Sequence, residues 1–80
     1  MKVYVKLFGS FRKFLPPGVN EGMYTVEIEE GALLNDVLQL LSIPESDPKT
    51  LVHNRKAGAP NQVLQEGDVI AVFPPVSGGG

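Results

Sequence analysis

The chain has 80 residues, 42% of them hydrophobic, and seven basic against nine acidic residues give a net charge of −2. That is room for one domain and one core, with about 60% of the unfolded surface buried at this size, and too little for a substrate cleft with its own catalytic constellation. The absence of cysteine excludes disulfides, thiolate metal sites and thiol nucleophiles, and with neither a basic face nor a membrane-length apolar run the expectation is a cytoplasmic protein that binds no nucleic acid and no membrane.

Residues 2–8 alternate, with Val3, Val5 and Leu7 on one face and Tyr4, Lys6 and Phe8 on the other, which predicts a strand. Pro and Gly punctuate residues 14–22 and predict a loop. Residues 23–29 alternate again, with Tyr24, Val26 and Ile28 facing inward. After Gly31, Leu34, Val37, Leu38 and Leu41 fall at i, i+3, i+4 and i+7, the stripe of an amphipathic helix. Leu33 is a poor N-cap residue, although Asp36 suits the first turn. Ser42-Ile43-Pro44 stops the helix.

Residues 50–54 predict a third strand, 55–60 a turn with a short edge strand, and 69–73 a mostly apolar strand suited to a central position. Pro74-Pro75 cannot continue a central ladder. One apolar helix stripe and one apolar sheet face must meet, giving a two-layer α+β domain. A mixed sheet of about five strands packed on one main helix, the β-grasp, fits this order. The expected division is a domain over 1–75 and a flexible glycine tail over 76–80.

The run from Leu64 to Gly79, closing in Phe73-Pro-Pro-Val-Ser-Gly-Gly, resembles the end of the molybdopterin synthase small subunit, the MoaD family within the MoaD/ThiS superfamily of ubiquitin-like sulfur carriers. Val5-Lys-Leu-Phe-Gly-Ser-Phe-Arg, Gly31-Ala, Asn54 and Gly67-Asp68 match as well, so the resemblance covers nearly the whole chain. Four departures stand out: Leu33 at the helix start, a longer loop around Pro16-Pro17-Gly18, Gly9 in place of alanine, and three terminal glycines where the family has two.

The resemblance implies a ubiquitin-like fold and a carrier with no cofactor of its own. A ubiquitin-activating-like (MoeB-like) adenylyltransferase would use ATP-Mg to adenylate the terminal carboxylate of Gly80, or of Gly79 after trimming. Sulfur would replace AMP and leave a thiocarboxylate. A larger MoaE-like subunit, in a heterotetramer, would receive the tail Val76, Ser77, Gly78 and Gly79 and pass the sulfur to a pterin for the dithiolene of a molybdenum or tungsten cofactor. Phe8, Ala57, Phe73, Pro74 and Pro75 would form an apolar docking patch, with Arg55 and Lys56 at its rim.

This tail suits the chemistry. A free carboxylate is a poor electrophile, and an acyl-adenylate supplies the leaving group. Glycines approach another backbone closely, and residues 76–80 extended would reach roughly 16 Å. The other polar residues have structural readings. His53 is a satisfied strand residue, Asp68 orders its turn, and Glu27, Glu29 and Glu30 form a solvated edge. No cluster has metal-ligand spacing, and Gly78-Gly79-Gly80 precedes no helix and forms no phosphate loop. Other functions compatible with the sequence are a sulfur carrier for thiamine or tRNA thiolation, a ubiquitin-like modifier of lysines, and an unreactive β-grasp interaction domain.

Overall fold

The computed structural model describes residues 1–19 and 23–75. Strands β1 (Lys2–Leu7), β2 (Tyr24–Glu27), β3 (Thr50–His53), β4 (Lys56–Ala57) and β5 (Val69–Phe73) form one sheet in the order β2-β1-β5-β3-β4. The β1–β5 pair is parallel and the others are antiparallel. A parallel pair needs a crossover, and the chain makes it through helix α1 (Leu34–Leu40). The architecture is the ubiquitin-like β-grasp.

Alternation along the strands sends Val3, Val5, Leu7, Val26, Ile70 and Val72 to one face, where they are buried against Leu34, Val37, Leu38 and Leu41. Tyr24 and Ile28 pack half-buried at the margin. At the N-terminus of α1 Leu33 offers no side-chain acceptor, and Asp36 compensates by accepting the Leu33 N–H at 2.8 Å. At the other end Ser42 takes a left-handed φ of 62° and the Ile43 N–H reaches back to the Leu38 carbonyl at 3.0 Å. That 6→1 bond satisfies a carbonyl the helix would otherwise leave open.

One element has no counterpart in the sequence reading. After β1 the chain turns at Gly9, φ 57°, into a 3-10 helix over Gly9–Phe14. Its three-residue turn aligns Phe11 with Phe14; Phe11 is buried in the core and the two rings lie 6.1 Å apart. Among the described residues no helix is long and apolar enough to cross a membrane.

Candidate docking face and tail exit

The sheet face away from α1 has no layer over it among the described residues. Cross-strand register arranges it in rows. Tyr4 lies beside Val69; Lys6 beside Ala71, Val52 and Ala57; and Phe73 beside Thr50. Phe8 continues the β1 side and stacks on Phe73, with ring centroids 4.4 Å apart and planes 4° from parallel. Phe8 is 38% exposed and Met23 51% exposed, so the face presents apolar surface to the outside. Together with Val52 and Ala71 they line a shallow apolar groove of about 560 Å³.

The end of β5 is held at one corner. Phe73 stacks on Phe8, and the Pro74 ring lies against Gly9, so close that a Cβ on Gly9 would sit 2.7 Å from Pro74 Cγ. Pro75 borders a hollow with Ser10, Phe11 and Phe14. Three successive residues of the exit are thus seated on the β1–3-10 corner. Packing holds the chain in place through Pro75.

A buried carboxylate ties the far end of the same strand. Asp68 accepts hydrogen bonds from His53 Nε2 at 2.7 Å, Asn54 Nδ2 at 3.0 Å and the Gln65 N–H at 2.8 Å. Burial alone would raise its pKa, but these donors and the charge of His53 outweigh it and hold the carboxyl below its ordinary value. Asn54 also accepts the Val69 N–H through Oδ1 at 2.8 Å. The network clamps the β3–β4 hairpin onto the start of β5. Asn54 and Arg55 form its two-residue loop, both with positive φ, 50° and 70°, the type I′ geometry that matches strand twist. Asp68 and His53 are structural by this geometry, since every oxygen of the carboxylate is engaged within the fold.

The proposed site residues separate as follows. Phe8, Phe73 and Ala57 share the open face, and Pro74 and Pro75 continue from it at the exit corner. Arg55 lines the groove. Lys56 pairs with His53, whose neighbour on β5 is Ile70, so the register puts it on the opposite face from Ala57. Lys6, half-buried on β1, brings to the groove a charge that the sequence reading did not single out. The alternation marked it as facing away from the core, but only the β1–β5 register shows what it lies beside. Val76, Ser77, Gly78, Gly79 and Gly80 lie outside the described residues. Among the described residues no group of three His, Asp or Glu side chains could hold a metal ion.

Comparison with solved structures returns the same fold. A putative molybdopterin converting factor subunit 1 from Pyrococcus furiosus is 28% identical, with 94% of this chain and 98% of that one covered and a TM-score of 0.72. Subunits 1 and 2 of the molybdopterin-converting factor from Helicobacter pylori form a complex in which the matching chain is 25% identical, with 95% and 96% covered and a TM-score of 0.58. SAMP1 from Haloferax volcanii, at 23% identity, 96% and 98% coverage and a TM-score of 0.74, shares the fold. No curated protein matches the sequence. The ThiS family matches residues 5–79, nearly the whole sequence. With that match, the β-grasp body and a sequence that closes in glycines, the chain belongs to the ThiS family of the MoaD/ThiS superfamily.

Proposed function

We propose that the chain is a sulfur carrier and the small subunit of a molybdopterin synthase. The observation that carries this reading is the exit corner. The strand that ends at Phe73 brings Pro74-Pro75 to the edge of an exposed apolar groove, and the sequence after them reads Val-Ser-Gly-Gly-Gly. A body that docks by that groove brings its last residues to a partner's cleft with no reactive side chain of its own. The likeness to a molybdopterin converting factor subunit 1 supports the pterin branch.

In this reading an oxygen of the Gly80 carboxylate, or of Gly79 after trimming, attacks the α-phosphorus of ATP held with Mg on the adenylyltransferase, and pyrophosphate leaves. A hydrosulfide equivalent from a sulfur donor then attacks the acyl carbon. AMP departs with the bonding pair and a thiocarboxylate remains. A larger synthase subunit takes the tail; the thiocarboxylate sulfur bonds to a pterin carbon and displaces an oxygen leaving group, and water then cleaves the acyl–sulfur bond and restores the glycine carboxylate. The apolar face serves both encounters in turn.

The test is intact mass spectrometry of the chain after incubation with its adenylyltransferase, ATP-Mg and a sulfur donor. The expected product is heavier by one oxygen replaced by sulfur, mapped to the last glycine, and it is lost when Gly79 and Gly80 are deleted. A chain recovered unmodified would overturn the carrier reading. A chain recovered joined to lysines of other proteins would replace it with a protein modifier.

A further inference from the structure

Two residues bordering the groove are poorly explained by the needs of the fold. Lys6 sits half-buried in the middle of the open face, across from Ala71 and next to the stacked Phe8. Among the described residues its ammonium has neither a carboxylate nor a hydrogen-bond acceptor. Its stem lies along the apolar face, where a threonine or valine would suit the strand better and would bring no charge. Arg55 is the second. It holds φ at 70°, in the second loop position of a type I′ hairpin. Glycine takes that conformation freely, and Asn-Gly is the favoured pair there. Arg55 also has no ionic partner among the described residues.

Both exceptions are cations, both line the same groove, and among the described residues no carboxylate lines it with them. Lys6 lies on β1 and Arg55 beyond the end of β3, two strand spacings or about 10 Å across the sheet. Ala71 and Val52 floor the space between, and the Phe8–Phe73 stack walls one side. The chain as a whole is acidic, so the positive rim is a local feature of this face.

From this geometry we infer that the adenylyltransferase docking here presents an apolar side chain over Ala71 flanked by carboxylates that pair with Lys6 and Arg55. The inference rests on the reading of this face as the docking surface and adds the chemistry of the partner. Lys6 gains the most, because it stands in the middle of the face beside Ala71, where a docked surface excludes water from its ion pair. Arg55, at the rim, acts more on encounter rate and orientation.

Calorimetric titration of the chain into the adenylyltransferase, at low and high salt, tests this. Lys6→Glu is expected to raise Kd at least about tenfold. Lys6→Met, which keeps the apolar stem, should raise it less and flatten its salt dependence. Arg55→Gly separates folding from docking. It relieves the left-handed backbone and should raise Tm by about 4 °C or more, while weakening binding. Wild-type binding with Kd for Lys6→Glu and Arg55→Gly within about twofold of it would overturn the inference and leave the carrier proposal intact. Binding that follows the expected pattern with no thiocarboxylate formed would uphold the inference and sink the carrier proposal. A wild-type chain that does not bind overturns both.

Discussion

Gly9 and Pro74 are 65 positions apart in sequence and in contact in the fold. The Pro74 ring fills the space a side chain at Gly9 would need, 2.7 Å from Pro74 Cγ, and Gly9 itself holds a left-handed φ of 57°. One residue thus does two jobs. It turns the chain out of β1 into the 3-10 helix, and it leaves a seat for the first proline after β5. By the family resemblance Gly9 stands where alanine is expected, and a glycine there fits a ring packed directly on the backbone.

Gly9→Ala should therefore cost about 2 kcal/mol, combining the left-handed penalty with displacement of the ring. The two parts can be separated. Pro74→Ala removes the ring from contact with the new methyl, so the double variant should recover about 1 kcal/mol relative to the sum of the single changes. Urea unfolding of the four proteins measures this. Strict additivity would show that the ring does not respond to the methyl.

The Phe8–Phe73 stack predicts a different balance. Both rings are partly in water, so Phe73→Ala should cost less than the ~3–5 kcal/mol of a fully buried phenylalanine, about 1–2 kcal/mol. A double-mutant cycle with Phe8→Ala should return a coupling of about 1 kcal/mol for the pair. The same changes should weaken partner binding more than tenfold, roughly the loss of a central aromatic anchor. Folding loss as large as for a core residue would place the rings in the core instead.

Much of this architecture was legible because it is periodic. Alternation placed Val3, Val5 and Leu7 opposite Tyr4, Lys6 and Phe8, and the three-four spacing of Leu34, Val37, Leu38 and Leu41 drew the buried helix face. The apolar composition of residues 69–73 pointed to the central position that β5 holds. What stayed hidden depends on contacts between distant segments. The 3-10 helix has no strong local period and is fixed by burying Phe11. The separation of Lys56 from Ala57, and the company Lys6 keeps, follow from strand register, which a pattern within one strand does not contain. The clamp on Asp68 joins residues 14 and 15 positions away.

Along the helix, exposure divides one residue type into two behaviours. Leu34 is fully buried and Leu40 is 59% exposed, six positions later on the same element. Leu34→Ala should cost about 2–5 kcal/mol by opening a cavity in the core. Leu40→Ala should change stability by no more than about 0.5 kcal/mol, since alanine is the better helix former and little packing is lost. Thermal unfolding of the two variants side by side checks the orientation of α1. Equal losses would mean that the stripe is rotated.

Asp68 gives stability a defined dependence on acid. Its carboxyl is held below the ordinary value of about 3.9 in the folded chain. The folded state therefore binds its proton less readily than the unfolded state. The stabilisation is fully present above the unfolded value and is lost as pH falls from there through the lower folded value. Asp68→Asn keeps the shape but presents an amide to donors from His53, Asn54 and the Gln65 backbone. The variant should be about 2–3 kcal/mol less stable near neutral pH. Its deficit should shrink as the wild type is acidified below about pH 4, because protonated Asp68 loses the same charge-assisted bonds. Urea unfolding of both proteins from about pH 7 to about pH 2 resolves the two curves, which should converge at the acid end. A deficit that stays constant across that range would mean that the clamp works through shape and neutral hydrogen bonds, with the carboxylate charge contributing nothing.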